Sequence, residues 1–145
     1  MAHSVEQARP HDLGPALALL RAARLPEHGV AERFGHFRVV RDMGRLIGVC
    51  GLEVHGDDAL LRSLAVDPDH RGAGVGGALV EDVVQLARKM GLRSVYLLTT
   101  TAREFFVARG FADHSRDEAA AAIRGSWEFE SGCPESSAFL RRPLD

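Results

Sequence analysis

Apolar residues recur along this chain in two periods, and the switches between them lay out its elements. Val5 to Ala8 reads as a short edge strand. Asp12 stands where it can cap a helix that carries Leu13, Leu17, Leu20 and Ala23 at helical spacing, with Pro26 ending it. Glu27 to Phe34 is expected as a short second helix. Phe37-Arg38-Val39-Val40-Arg41 then alternates as a strand, and Asp42-Met43-Gly44-Arg45 turns the chain. Leu46 to Val54 and Ala59 to Val66 are two further apolar runs separated by the turn signal His55-Gly56-Asp57-Asp58, so three consecutive antiparallel strands are expected. After a glycine-rich stretch, Leu79, Val83, Leu86 and Met90 mark one face of a helix stopped by Gly91, and Ser94 to Leu98 follows as a buried strand. Thr99 to Thr101 are placed to cap a helix through Arg109, and Gly110-Phe111 starts another strand. Asp117 to Ile123 favours a short helix, and Ser137 to Leu140 closes the sheet.

Composition changes this picture little. A chain of 145 residues corresponds to one domain, 1–145, with one hydrophobic core. With 46% apolar and 26% charged residues it reads as an ordinary globule. A net charge of -2 supplies no general basic field, which argues against nucleic acid as a partner. No apolar stretch approaches the roughly 20 residues of a membrane span, and Met1 to Pro10 has no apolar leader core, so no membrane partner and a cytoplasmic location are expected. Cys50 and Cys133 read as thiols, and the seven histidines lack ligand spacing, so no metal is expected.

The candidate chemistry starts at Arg71-Gly72-Ala73-Gly74-Val75-Gly76-Gly77, between a strand and a helix. Glycines let backbone amides come close to a ligand, and a helix start adds unpaired N–H groups and a positive dipole end, so a phosphate or pyrophosphate is the expected occupant. Gly72, Gly74 and Gly77 formally match the dinucleotide fingerprint, but that motif follows the first strand and needs an acid about 20 residues on. Here three strands come first and Gly91 to Leu98 holds no acid. The Gly-Lys-Ser/Thr of a Walker loop is also absent. A plain glycine-rich turn is the bland alternative.

Arg71 to Gly76 resembles the R/Q-x-x-G-x-G/A motif of the GNAT family of N-acetyltransferases, preceded by the family-like strand Leu61 to Pro68. A second family motif is matched by Ala102-Arg103-Glu104-Phe105-Phe106-Val107-Ala108-Arg109-Gly110-Phe111. The resemblance implies an α+β fold with a mixed central sheet, splayed at its fourth strand and covered by helices on both faces. It implies acetyl-CoA as cosubstrate, with Arg71, Gly72, Ala73, Gly74, Val75, Gly76 and Gly77 holding the pyrophosphate. Leu64, Ala65 and Val66 would pair with the pantetheine, the Leu64 N–H would stabilise the oxyanion, and Phe105 and Phe106 would lie at the cofactor. Many relatives carry a tyrosine acid where Phe106 stands, and Phe106 has no proton to give. Tyr96, central in an apolar strand, reads as core.

Glu53 is the first candidate for the base, because a carboxylate interrupting an apolar strand is costly unless it faces water or a site; His55 is the second, and a solvated strand-end residue is the bland alternative for Glu53. Arg62 likewise interrupts an apolar run, and either snorkels or reaches a carboxylate. Alternation puts it on the face of Leu64 and Val66, unless a bulge of the kind this family carries shifts the register. Thr99, Thr100 and Thr101 are candidate acceptor contacts or helix caps, with Arg124 and Ser126 as lesser ones; Trp127 and Phe129 line the pocket or the core. The stretch Tyr96 to Ala102 is similar to the acetyltransferase domain of N-acetylglutamate synthases. Ile123, Glu128-Phe129 and Cys133-Pro134-Glu135-Ser136-Ser137-Ala138 resemble the ending of small arsenic-resistance N-acetyltransferases. Both imply a small acidic amino acid as acceptor, arsinothricin-type first and glutamate second. A catalytically weak acyl-CoA-binding protein, a peptide acetyltransferase and a redox enzyme are the other classes. Ala138-Phe139-Leu140 suggests a homodimer through the last strand.

Overall fold

The computed structural model describes residues 3–132 and 136–145. Cys133, Pro134 and Glu135, with the thiol and the part of the ending assigned to them, lie outside the described residues. The elements run β1 (Val5–Gln7), α1 (Leu13–Ala22), β2 (Phe37–Asp42), β3 (Arg45–His55), β4 (Asp58–Val66), α2 (Val75–Lys89), β5 (Ser94–Thr99), α3 (Arg103–Val107), β6 (Ala112–Asp113), α4 (Ala121–Arg124) and β7 (Ala138–Pro143). The sheet order is β1-β2-β3-β4-β5-β7-β6. β4 pairs with β5 in parallel, whereas β1–β2, β2–β3, β5–β7 and β6–β7 are antiparallel, the expected mixed sheet. Among the described residues no helix is long and apolar enough to cross a membrane. The chain divides into two compact units, Met1–Glu53 with Leu61–Leu86, and Val54–Leu60 with Ala87–Asp145.

In the first unit, the register of β2 on β3 decides which face each residue joins. Phe37 lies opposite Gly51, and a Cβ on Gly51 would sit 2.3 to 2.6 Å from the Phe37 ring, so the ring occupies the space a side chain would need. On that face Phe37, Val39, Val49 and Ala65 close over Ala16 and Leu20 of α1. Gly48 points the other way, where a Cβ would come within 2.9 Å of Val75 and 3.0 Å of Leu79 on α2. Helices therefore cover both faces of these strands. The buried stripe of α2 is Val75, Leu79, Val80, Val83, Val84 and Ala87. Met90, expected on that face, falls just past the helix end and is 40% exposed.

Two expectations for the first unit change. Residues 27–34 form turns, ending in a short 3-10 turn at Phe34–His36, because Gly29 takes φ 75, which a right-handed helix cannot contain. α1 stops four residues before Pro26, and Arg24 at φ 57 reverses the chain so that the Leu25 N–H bonds the Leu20 carbonyl at 2.9 Å.

Asp12 does not cap α1 with its side chain. Arg41, 29 residues away, donates to both of its oxygens at 2.6 and 2.8 Å, and the Arg9 N–H adds a third bond at 2.8 Å. The Arg41 hydrogen bonds hold the Asp12 carboxyl down, from the usual 3.8 to about 2, against the opposing effect of burial. A depressed folded value gives stability that is complete above the unfolded value and lost as pH falls toward the folded one. The shift corresponds to about 2 kcal/mol. Asp12→Asn is therefore expected to lose about 2 kcal/mol in urea unfolding at pH 7, with the deficit closing between roughly pH 4 and 2, where the native carboxyl is itself protonated.

In the second unit, β5 lies between the start of β4 and β7. Tyr96 is core, stacked on Phe139 with ring centroids 5.4 Å apart, beside Leu60, Ala119 and Ile123. The strand expected from Gly110-Phe111 is the two residues of β6, and the expected helix at 117–123 divides into a 3-10 turn at Arg116–Glu118 and α4. Phe139 and Leu140, two of the residues that suggested a homodimer, are buried within this chain.

Candidate functional site

The β4–β5 ladder registers Asp58 with Ser94, Ala59 with Val95 and Leu60 with Tyr96, while β4 itself continues to Val66. Within that continuation Ser63 takes φ 61, a left-handed conformation inside a strand. Such a residue breaks the alternation of side chains, so the face expected for Arg62 from Leu64 and Val66 does not follow by simple parity. The Ala65 side chain joins the α1 core, and Leu64 and Val66 are half-buried.

Beyond Val66 the chain makes a 3-10 turn at Pro68–His70 and enters the loop 71–77. Gly72 and Gly74 have φ 83 and 82, and a Cβ on either would touch nothing, so glycine is required here by conformation and not by space. α2 starts at Val75, whose buried side chain anchors the loop, and Gly76 and Gly77 lie in its first turn. The first bond of the helix is Ala78 N–H to Gly74 O at 3.0 Å. Among the described residues, none of the N–H groups of 72–77 donates to a backbone carbonyl. Ala73 and Arg71 are exposed. A row of free N–H groups, a positive helix end and an arginine make a cradle for an anion the size of a pyrophosphate.

Glu53 and Arg62 meet beneath the turn at residues 27–33. Arg62 Nη1 donates to Glu53 Oε2 at 2.9 Å with both side chains buried, and its Nε donates to Ser63 Oγ at 3.0 Å. The carboxylate that Arg62 reaches is thus supplied by the protein. Arg33 approaches the same Glu53 oxygen at 3.7 Å with its side chain 41% exposed, and it is the member of the cluster open to solvent. A Cβ on Gly29 would sit 3.4 Å from Arg62 Nη1, so a bare backbone packs over the guanidinium. Sequence reasoning missed Arg33 because it fell in the stretch read as a helix, and no local pattern marked it.

In the second unit, Thr99 Oγ1 accepts the Ala102 N–H at 3.0 Å, a bond in the turn that leads into α3; the N-cap itself is Ala102 with no side-chain cap bond, so the expected threonine cap is not made, and Thr100 and Thr101 are exposed. Phe105 is half-buried, with the Arg109 guanidinium 3.7 Å above its ring. Phe106 is buried and packs edge-on against Phe105 and Phe111. The Ser126 hydroxyl donates to Ile123 O at 2.6 Å and is buried, so it serves its own turn; Arg124 is exposed and Phe129 packs on Phe139. His55 and Trp127 are half-buried. Cys50 is a buried thiol whose ionisation burial pushes far upward, which makes it inert.

Residues 33–113 match the family model described as acetyltransferase (GNAT) domain. An amino-acid acetyltransferase of Pseudomonas putida is 30% identical over 151 residues, covering 97% of this chain and 34% of the relative. The chain thus spans about a third of the length of the curated relatives it matches. N-acetylglutamate synthase from Neisseria gonorrhoeae, complexed with coenzyme A and N-acetyl-glutamate, superposes with a TM-score of 0.88 at 25% identity, over 100% of this chain and 36% of that one. Rv2747 from Mycobacterium tuberculosis, in complex with CoA, superposes with a TM-score of 0.87 at 25% identity, over 98% and 99% of the two chains. The family match takes in more than half of the sequence and includes the anion cradle at 71–77, and on that ground the chain belongs to the GNAT acetyltransferase family.

Proposed function

We propose that this chain transfers the acetyl group of acetyl-CoA to the α-amino group of a small amino acid carrying a second acidic group, with glutamate as the first acceptor to test. The observation that carries the donor half is the row of unpaired N–H groups at 72–77 with Arg71 beside it, a cradle for the CoA pyrophosphate. The acceptor half is supported by the Glu53–Arg62–Arg33 cluster, which keeps one guanidinium buried and another at the surface, and by relatives named for amino-acid and N-acetylglutamate chemistry. These relatives move glutamate ahead of the arsinothricin-type acceptor that the sequence placed first.

In this reading the neutral amine attacks the thioester carbonyl carbon and the C–O π electrons move to oxygen, where the Leu64 N–H donates to the oxyanion. Collapse re-forms the carbonyl and breaks the C–S bond. The sulfur departs as a thiolate, tolerable for a group with a free pKa of roughly 8.5, so the absence of a hydroxyl at Phe106 does not block the step. The amine proton goes to solvent or to Glu53. Arg33, the guanidinium open to solvent, holds the acidic end of the acceptor, with Arg62 fixed behind it by Glu53.

CoA thiol release from acetyl-CoA, measured against glutamate, glutamine, arsinothricin, phosphinothricin, a polyamine and a basic peptide, tests the reading. Turnover with glutamate above the rest is the expected result. Preference for arsinothricin makes the protein an arsenic-resistance enzyme, preference for the polyamine or peptide refutes the acidic-acceptor assignment, and CoA binding without turnover makes it an acyl-CoA-binding protein.

A further inference from the structure

Asp67 and the 3-10 turn Pro68–His70 join the end of β4 to the first residue of the anion cradle, and the residues flanking the β2–β3 turn grip this segment at both ends. At its start, Arg45 Nη2 pairs with the buried Asp67 carboxylate at 2.6 Å, and Asp67 also accepts the Asp69 N–H at 3.0 Å while its own N–H bonds the Ile47 carbonyl at 2.8 Å. At its end, His70 Nε2 lies 3.1 Å from Asp42 Oδ2. An ionised carboxylate only accepts, so Nε2 carries the proton. The other ring nitrogen of His70 is buried with no hydrogen-bond partner among the described residues, which leaves Asp42 as the polar anchor of the ring. His3 Nε2 approaches the second Asp42 oxygen at 3.7 Å. Arg71 follows His70 directly, its N–H returning to Pro68 O at 3.4 Å. Asp42 and Arg45 flank a tip, Met43-Gly44, at which Met43 is 98% exposed with φ 52, so two charges at the ends of a solvent-facing turn hold the two ends of the segment 67–70.

We propose that Asp42 and His70 are positioning residues for the donor: together with the Arg45–Asp67 pair they fix the height and pitch at which the N–H groups of 72–77 meet the pyrophosphate. The inference rests on the donor reading above. A cradle of backbone N–H groups has no side chain to adjust, so its affinity depends on how rigidly the loop is delivered. Replacing His70 by leucine removes the strut and keeps the bulk, whereas glutamine presents a comparable N–H donor to Asp42.

The test is calorimetric CoA affinity for the wild type, His70→Leu, His70→Gln and Asp42→Ala, together with acceptor KM at saturating acetyl-CoA and the ligand-free melting temperature. His70→Leu and Asp42→Ala are expected to weaken CoA binding about three- to tenfold while acceptor KM stays within about twofold, and His70→Gln is expected to recover most of the loss. Unchanged CoA affinity, an equal loss in acceptor KM, or a glutamine variant as weak as leucine overturns the proposal. A wild type that fails to bind CoA removes the donor reading itself, and is told apart because no variant is needed to see it.

Discussion

Glu53→Ala is expected to destabilise the protein by about 3–5 kcal/mol, because it leaves the buried Arg62 guanidinium without its 2.9 Å partner in a place water reaches poorly. Burying two charges costs nearly as much as their attraction returns, so the pair as a whole contributes little; the loss comes from breaking it. A double variant, Glu53→Leu with Arg62→Met, should therefore recover most of the loss in urea unfolding while abolishing discrimination among acceptors. If both changes together cost as much as Glu53→Ala alone, the pair contributes through packing and not through charge. Glu53→Gln separates two roles in the reaction. As an orienting group for Arg62 and Arg33, Glu53 acts on acceptor binding, and the glutamine variant raises acceptor KM by on the order of tenfold with kcat largely kept. As the base that takes the amine proton, it acts on the chemical step, and kcat falls by roughly 100-fold or more with KM unchanged. The structure favours the first, since the Glu53 oxygen is already shared by two guanidiniums.

The parts of the fold that were legible in the sequence are those fixed by short-range rules. β2, β3 and β4 were readable because alternation is interrupted by Gly44 and by Gly56-Asp57, residue types that adopt the backbone of tight turns at little cost. The loop 71–77 was readable for the same reason: Gly72 and Gly74 sit in left-handed conformations that glycine adopts at little cost, and Gly74 is also a motif glycine. What failed was decided by distant partners. Asp12 has the residue type and position of a helix cap, yet Arg41 makes a bidentate bond that a single capping interaction cannot match. Glu53 and Arg62 each announced a need for a partner, but their pairing is not visible in one dimension. The left-handed Ser63 breaks the parity that would have indicated their faces. Arg33 was hidden by a helix that Gly29 prevents, and the packing of Phe139 against Tyr96 and Ile123 depends on a strand order no local pattern encodes.

Gly74→Asp is expected to weaken CoA binding on the order of 100-fold, and the separate contributions can be measured. A side chain at φ 82 strains the backbone by about 1 kcal/mol, and since a Cβ at Gly74 meets nothing within 4 Å, the ligand-free fold should lose little more than that. Gly74→Ala carries the same strain without charge, so its deficit, about tenfold, reports the distortion of the cradle alone. The further loss in the aspartate variant is repulsion between its carboxylate and the pyrophosphate in a cradle otherwise built of N–H donors and Arg71. That part is long-ranged enough to be screened, so raising ionic strength should narrow the gap between aspartate and alanine while leaving the gap between alanine and glycine in place. Equal deficits for the two variants at all salt concentrations would mean that no anion sits at 72–77, and unchanged affinity in both would place the donor elsewhere on the protein. An ordered loss, glycine above alanine above aspartate with only the last step sensitive to salt, ties the unpaired N–H groups of the loop to the charge they hold.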